Sequence, residues 1–249
     1  MKKNFFIGLL LAIIVLNTAV LSASADTITV AINPDAKPFK YIDEDGEFAG
    51  IDADVIQAIA EIEDLEIQFI EMPFENIFNA VKACEVDAAI SALSKTEART
   101  KVVSFSDPYV MSLQSAFVRM KNIHLSNIAD PAIKVIGAKA ATTAEDNGRI
   151  IAQRNNCELK VYSTYSELFA ALENDVIDAA IADEMLAKEY VDSYADIMTI
   201  GAALTSEPYA IAVCPENSEL LDAINHGLNE MRKDGKLDEI VLSNLSPEN

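Results

Sequence analysis

The chain contains little glycine and histidine for its length of 249 residues. Its eight glycines form no Gly-rich phosphate-binding loop, and the G-x-S-x-G motif of serine hydrolases is absent. The two histidines, His124 and His226, lie far apart in the sequence, and neither has a cysteine or carboxylate at ligand spacing. We therefore expect no metal site and no cofactor.

Cysteine is also scarce. Cys84, Cys157 and Cys214 are too few for a disulfide-rich scaffold, and three cysteines cannot all pair within one chain. Cys84 continues the helical spacing of Ile77 and Val81, which predicts that Cys84 is a core residue of a helix. A bridge between Cys157 and Cys214 is left open.

Basic residues are outnumbered. The chain has 19 Lys and Arg against 40 Asp and Glu, and loss of Lys2 and Lys3 with a signal peptide would take the net charge from −21 to −23. Such a surface repels phosphate groups, so we exclude nucleic acid as a partner. The charge favours solubility and the attraction of cationic ligands.

Only one apolar run is long, and it lies at the N-terminus from Phe5 to Leu21. Lys2 and Lys3 precede it, and an Ala-x-Ala cleavage pattern in residues 22–25 follows it. The pattern predicts a cleavable signal peptide over residues 1–25, with an uncleaved membrane anchor as the alternative. No second run is long enough to span a bilayer. We expect a soluble, exported protein in a bacterial periplasm.

Beyond this segment, candidate strands and helices alternate, which predicts an α/β fold with mostly parallel sheets. The apolar patterns predict strands at residues 27–32, 66–71, 86–92, 115–120, 134–138, 160–162, 176–182 and 209–213. Helices are predicted at residues 50–62, 74–84, 143–155, 164–172 and 218–235, and Gly235 would stop the last of them. The first helix would place Ile51, Val55, Ile59 and Ile62 on one face. The capping-box spacings Thr142–Glu145 and Thr164–Glu167 indicate where the third and fourth helices begin.

The stretch from Val86 to Thr100 carries the first sign of a binding site. A buried strand is followed by Ser94 and Glu97 at the spacing of a capping box, which predicts that a helix begins at Ser94. The unpaired N–H groups of a helix start and the guanidinium of Arg99 would together suit a carboxylate. The alternative is that Ser94 only caps the helix and that Arg99 only faces solvent.

A similar segment occurs twice. F-N-A-V-K-A-C-E-V-D-A-A-I-S at residues 78–91 matches F-A-A-L-E-N-D-V-I-D-A-A-I-A at residues 169–182, and Asp183 follows the second copy. The repeat predicts two similar α/β lobes, and ligands of open α/β sheets bind at the carboxyl ends of strands. Arg99 and Asp183 would then face each other across one cleft and suit a zwitterion. Chance similarity between two Ala-rich segments is the alternative.

Four motifs together resemble one known family. They are P-F-K-Y at residues 38–41, G-I-D-A-D-V at residues 50–55, the block from Asp87 to Tyr109, and E-P-Y-A-I-A-V at residues 207–213. The sequence resembles the bacterial extracellular solute-binding proteins, family 3, which bind amino acids for ABC importers of polar amino acids. The resemblance covers essentially the whole mature chain. The aromatic-rich C-terminal end usual in the family is absent.

The resemblance implies a type II periplasmic-binding-protein fold. In that fold, two α/β lobes are joined by two crossover strands that form a hinge, and the ligand cleft lies between the lobes. Residues 26–113 and 210–249 would form lobe 1, and residues 114–209 the inserted lobe 2.

The resemblance also implies roles for individual residues. Arg99 would bind the ligand's carboxylate, and Asp183 its α-ammonium group. Backbone and hydroxyl donors would come from Ser91, Ala92, Ser94, Thr142 and Thr143. Phe74 would provide an apolar wall, and Lys139 would face the side-chain pocket. For these last two, the alternatives are a core aromatic residue and a solvated lysine.

The identity of the ligand's side chain stays open. The predicted site residue Asn33 stands where many members of the family have Asp, and Ala36 stands where many have an aromatic residue. A cationic or amide side chain would be favoured by Asn33, Asp35 and Glu184. An acidic side chain would be favoured by Lys37 and Lys139.

We therefore expect a monomeric binding protein, not an enzyme, that captures an amino acid and delivers it to an ABC permease in the membrane. An enzyme resembling cyclohexadienyl dehydratase is one alternative, with Glu75, Asp183 or Glu184 as the acid or base. A sensory protein that docks onto a receptor is the other.

Overall fold

The computed structural model describes residues 26–194 and 196–245. The predicted signal peptide and the last four residues of predicted lobe 1 lie outside the described residues. Helices and strands alternate within the described part, which confirms the α/β class.

The strands, in chain order, are β1 (Asp26–Ile32), β2 (Tyr41–Ile42), β3 (Phe48–Ala49), β4 (Leu65–Glu71), β5 (Ala88–Ala89), β6 (Ser104–Phe105), β7 (Val110–Arg119), β8 (Val135–Lys139), β9 (Glu158–Tyr162), β10 (Ala179–Asp183), β11 (Ile197–Tyr209) and β12 (Ala212–Val213). The α-helices are α1 (Ile51–Glu63), α2 (Phe74–Lys82), α3 (Thr143–Asn155), α4 (Tyr165–Glu173), α5 (Glu184–Ser193), α6 (Ser218–Asp234) and α7 (Lys236–Leu245). Short 3₁₀ turns occupy Arg99–Lys101 and Met120–Asn122.

The first lobe is built on a sheet with the strand order β4-β1-β5-β12-β6. Its interior strand β1 is buried on both faces, because Val30 packs in one hydrophobic cluster with Ile59 of α1, and Ala31 packs in another with Ile77 of α2. A strand covered on both sides reads as a continuous apolar run rather than an alternating one. This is why the sequence predicted β1 well.

The second lobe is built on a sheet with the order β11-β7-β10-β8-β9. Strand β8 pairs in parallel with β9 and β10, as β1 does with β4 and β5. The prediction of mostly parallel sheets is wrong, since β7 and β12 run antiparallel to both of their neighbours. Strand β7 is itself one of the two connections between the sheets, and β12 directly follows the other.

Two paired strands carry the chain from one sheet to the other. Strand β7 follows β6 of the first sheet, β11 precedes β12 of the same sheet, and the two pair from Val110↔Tyr209 to Arg119↔Ile197. The sequence predicted neither the length of β11 nor helix α5 before it. Burial along β11 has no regular alternation, so a two-residue period is missing. The lobe boundaries at residues 113 and 209 fall on this strand pair and stay a prediction.

The repeated D-A-A-I segment has the same structural role in both lobes. Asp87 accepts a 2.8 Å hydrogen bond from the Thr29 N–H, at the start of the pairing between β1 and β5. Asp178 accepts a 2.9 Å hydrogen bond from the Val135 N–H, at the start of the pairing between β8 and β10. Each carboxylate thus satisfies a backbone donor of the neighbouring parallel strand. This shared role argues against chance similarity.

The predicted helix at Ser94 does not form. Ser94 forms an isolated β-bridge with Tyr209, and the Lys95 N–H donates a 2.8 Å hydrogen bond to the Pro208 carbonyl oxygen. Backbone groups that would have begun a helix are therefore engaged by the chain at the end of β11. Arg99 lies in a 3₁₀ turn instead.

The prediction that Cys84 is a core residue of a helix is wrong, and the bridge between Cys157 and Cys214 that was left open does not form. Helix α2 ends at Lys82, and Cys84 lies beyond it with φ at 52°. Cys84 forms a disulfide with Cys214, which follows β12, and Cys157 is free. The two bonded cysteines are 130 residues apart in sequence, and the loop that they close contains the whole second sheet.

Helices α1 and α6 of the first lobe pack closely against each other. A Cβ atom on Gly227 of α6 would lie 3.0 Å from the Ile59 side chain of α1, which is why the smallest residue stands at this crossing. Ile62 was predicted on the buried face of α1 but is 40% exposed near the end of that helix. Helix α6 is followed by Gly235 with φ at 84°, as the predicted stop requires.

Candidate functional site

A cavity lies between the two lobes. All of the predicted site residues except Asn33 line it. The lining consists of Lys40, Phe74, Ser91, Ala92, Ser94, Arg99, Lys139, Thr142, Thr143, Tyr165, Asp183 and Leu186. Asn33 lines a neighbouring groove, but its Oδ1 atom accepts a 3.2 Å hydrogen bond from Lys139 Nζ. The structure thus places the predicted residues together.

Arg99 connects the two lobes across this cavity. Its Nη1 donates to the Ser94 carbonyl oxygen at 3.0 Å, and its Nη2 donates to the Ala141 carbonyl oxygen at 3.1 Å. Its guanidinium carbon also lies 4.4 Å from the centre of the Phe78 ring. Burial lowers the pKa of Arg99, while the charge of Asp146 opposes the decrease. The solvent-facing alternative for Arg99 is wrong.

The start of helix α3 faces the same cavity. Thr142 is the N-cap, and its hydroxyl oxygen accepts a 3.3 Å hydrogen bond from the Glu145 N–H, as the capping pattern predicted. Thr143 accepts a 3.2 Å hydrogen bond from Gln114 Nε2. A helix N-terminus has unpaired N–H groups and the positive end of the helix dipole. With Arg99, it gives the cavity donors suited to an anion.

Asp183 provides the opposite charge. It ends β10, is only 4% exposed, and accepts a 3.4 Å hydrogen bond from Gln114 Nε2. Burial raises the pKa of Asp183 to about 7, and the charge of Glu207 adds to the increase, while Arg99 opposes it. A buried carboxylate is suited to accept a cation from a ligand, because an opposite charge favours its charged form.

A second group of charged side chains pairs at the cavity, and the sequence analysis did not predict this pairing. Asp35 pairs with Lys40 at 2.7 Å and also with Lys139 of the other lobe. Burial raises the pKa of Asp35, but the charges of the two lysines hold it below its ordinary value. Burial lowers the pKa of Lys139 to about 8, and repulsion by Lys40 adds to the decrease.

Two aromatic rings flank Lys139. Its Nζ atom lies 4.9 Å from the centre of the Phe74 ring and 4.9 Å from that of Tyr165. Lys139 is 1% exposed, so the solvated alternative is wrong. Phe74 is a core aromatic residue, since it belongs to a hydrophobic cluster with Ile77, and it also lines the cavity.

One expected donor is already engaged. The Ala92 N–H donates a 2.7 Å hydrogen bond to Asp52 Oδ2, and the Tyr109 hydroxyl donates to Asp52 Oδ1 at 2.6 Å. Burial raises the pKa of Asp52 to about 7, which these donors oppose. Ala92 therefore shapes the cavity wall, and its N–H serves the core of the first lobe.

Three lining residues escaped the sequence analysis: Lys40, Tyr165 and Leu186. Lys40 lies within the P-F-K-Y motif, and Tyr165 follows the predicted N-cap Thr164, so both had a signal nearby. Leu186 lies on helix α5, which was not predicted. No group of three His, Cys, Asp or Glu residues within the described ranges could hold a metal ion. None of the helices described here is both long and apolar enough to cross a bilayer.

Two α/β lobes with a charged cavity between them define a two-lobed binding protein. The family model for bacterial extracellular solute-binding proteins, family 3, matches residues 28–245. The chain belongs to this family.

Similar proteins include the arginine-binding periplasmic protein of Mannheimia haemolytica, which is 28% identical over 226 residues, covering 89% of this chain and 92% of that one. The solved structure of an ancestral arginine-binding protein bound to arginine is 32% identical, with a TM-score of 0.83, and the match covers 90% of this chain and all of that one. An ancestral amino acid-binding protein, described as a precursor of cyclohexadienyl dehydratase, is 25% identical with a TM-score of 0.80, over 88% of this chain and 96% of that one.

Proposed function

We propose that this solute-binding protein captures an amino acid in the cavity between its lobes and delivers it to an ABC permease. The observation that carries the proposal is the presence of Arg99 and Asp183 in one buried cavity. A cation and an anion within one site are complementary to the two charged groups of an amino acid. The relatives named above, which are described as binding arginine or amino acids, support the same conclusion.

Each residue has a role in this proposal. Arg99 and the first N–H groups of α3, at Thr142 and Thr143, bind the α-carboxylate. Asp183 binds the α-ammonium group. Phe74 packs against the apolar part of the ligand, and hydroxyl donors come from Ser91 and Ser94.

The protein acts in the periplasm as a monomer in this account, after removal of residues 1–25. It binds its ligand without chemical conversion. Of the acids considered for catalysis, Glu75 is exposed, and Glu184 accepts a 2.5 Å hydrogen bond from the Ser115 hydroxyl. Asp183 is the remaining candidate for a catalytic acid or base, and in this proposal it binds the ligand's α-ammonium group instead.

A thermal-shift screen against the standard amino acids tests the proposal. The exported protein should be unfolded and refolded first, to remove any ligand carried from the cell. A ligand at 100 times its dissociation constant stabilises the folded state by about 2.7 kcal/mol, which gives a clear increase in melting temperature. We expect one or a few amino acids to do so. No increase with any amino acid would contradict the proposal.

A further inference from the structure

One wall of the cavity contains two buried lysines. Lys40 and Lys139 come from different lobes, and their side chains are 1% and 2% exposed. Asp35 pairs with both, so the ion pairs of this wall leave one positive charge in excess. Two further acids attract the lysines through charge alone. Glu75 is exposed and screened by solvent, and Asp52, which attracts Lys40, accepts its hydrogen bonds from Tyr109 and Ala92.

The features that would attract a cationic side chain are already occupied by Lys139. The faces of two aromatic rings, Phe74 and Tyr165, flank its ammonium group, and Asp35 and Asn33 accept its hydrogen bonds. Ring faces and a carboxylate are what a guanidinium or ammonium group of a ligand would need. A ligand with such a group would have to displace Lys139 and would meet its charge.

An excess of buried positive charge is unfavourable unless a negative group compensates it. The proposed function assigns Arg99 to the ligand's α-carboxylate and Asp183 to its α-ammonium group. The excess positive charge at Lys40 and Lys139 is therefore available to pair with a negative group on the ligand's side chain.

We propose that the ligand is a dicarboxylic amino acid, with glutamate and aspartate as the simplest examples, whose side-chain carboxylate pairs with Lys139 and Lys40. This inference rests on the proposed function, because it takes the cavity to be the amino-acid site. It separates this protein from the relatives described as arginine-binding, since Lys139 fills the position that a cationic side chain would take.

Isothermal titration calorimetry of the refolded protein with glutamate, aspartate, glutamine, asparagine and arginine tests the inference. We expect one of the two dicarboxylic amino acids to bind at least tenfold more tightly than its amide and than arginine. In the Lys139→Met variant, the ratio of the amide's dissociation constant to the acid's should decrease at least tenfold. Lys40→Met should change this ratio in the same direction.

The matched control is Lys233→Met, because Lys233 is exposed on α6 and pairs with Glu230. This variant should keep the selectivity of the wild-type protein. Since each ratio is taken within one variant, a loss of folded protein affects both ligands equally. Tighter binding of an amide or of arginine by the wild-type protein would overturn the inference and leave the proposed function intact. An unchanged ratio in Lys139→Met would also overturn it, and binding of no amino acid would overturn both proposals.

Discussion

Arg99 Nη2 donates a 3.1 Å hydrogen bond to the carbonyl oxygen of Ala141, which joins the 3₁₀ turn of the first lobe to the turn before helix α3 in the second. Ala141 itself has φ at 61°, and its N–H donates to Glu145 Oε2 at 2.7 Å. The guanidinium is therefore held at the start of α3, where the unpaired N–H groups lie. This arrangement supports a shared anion site formed by both lobes.

We expect Arg99→Ala to weaken amino-acid binding by about 2–5 kcal/mol, the range for removal of one partner of a buried charged pair. This is about 30-fold or more in the dissociation constant. Calorimetric titration with the best ligand from the thermal-shift screen measures it. Arg154→Ala is the matched control, because Arg154 is exposed in the last turn of α3. If the affinity of Arg99→Ala stays within tenfold of the wild-type value, Arg99 does not bind the ligand's carboxylate.

The affinity should depend on pH through Asp183, whose pKa is raised by burial to about 7. The ligand's ammonium group needs the carboxylate form, so protonation of the free protein competes with binding at lower pH. One pH unit corresponds to about 1.4 kcal/mol, so the dissociation constant should increase up to about tenfold per unit as the pH falls below about 7. It should change little between about pH 7 and pH 8, above which Lys139, whose pKa burial lowers to about 8, loses its charge.

Titrations of the wild-type protein and of Asp183→Asn over this range measure the effect. The variant should bind weakly, with little dependence on pH, and Asp222→Asn on the exposed side of α6 should behave like the wild-type protein. Asp52 also has its pKa raised to about 7 by burial. A pH dependence that persists in Asp183→Asn would therefore assign the effect to Asp52 and contradict the role given to Asp183.

The disulfide between Cys84 and Cys214 closes a loop that contains the whole second sheet. Loss of such a bridge from a secreted domain reduces stability by about 2–5 kcal/mol. The Cys84→Ala/Cys214→Ala double variant should show this decrease in urea unfolding, while its ligand affinity stays near the wild-type value. Cys157→Ala controls for the loss of a cysteine side chain, since Cys157 is free. Equal unfolding midpoints for the double variant and the wild-type protein would show that the bridge does not stabilise the fold.

Asp87 and Asp178 should contribute similarly to stability, because each satisfies backbone donors at the start of a parallel strand pairing. Leaving a partly buried donor without its acceptor costs about 1–3 kcal/mol. We expect Asp87→Ala and Asp178→Ala to lose amounts within this range in chemical denaturation, and Asp222→Ala to lose much less. A loss in one lobe without a comparable loss in the other would show that the two aspartates are not equivalent.

Much of the site could be predicted from local patterns. The cap at Thr142, the repeated D-A-A-I segment and the placement of Asp183 after a buried strand all depend on residues close in sequence. Arg99 lines the cavity, but the helix expected to begin at Ser94 is replaced by pairing with the end of β11. Local capping patterns cannot reveal such competition from a distant segment.

The rest depends on contacts between distant parts of the chain. Asp35 and Lys139 come from different lobes, and their pairing becomes visible only once both lobes are folded. The partner of Cys84 could not be chosen from three cysteines, and its helical spacing pointed to the core instead. Helix α5, which carries Leu186 into the cavity wall, was not predicted at all.

The central claim is that an amino acid lies in the cavity with its two charged groups on Arg99 and Asp183. A crystal structure of the protein, grown with the amino acid that gives the largest thermal shift, tests this most directly. The account predicts the α-carboxylate within hydrogen-bond distance of Arg99 and the start of α3, and the α-ammonium group against Asp183. An amino acid bound outside this cavity, or bound within it with neither group on these residues, would contradict the account.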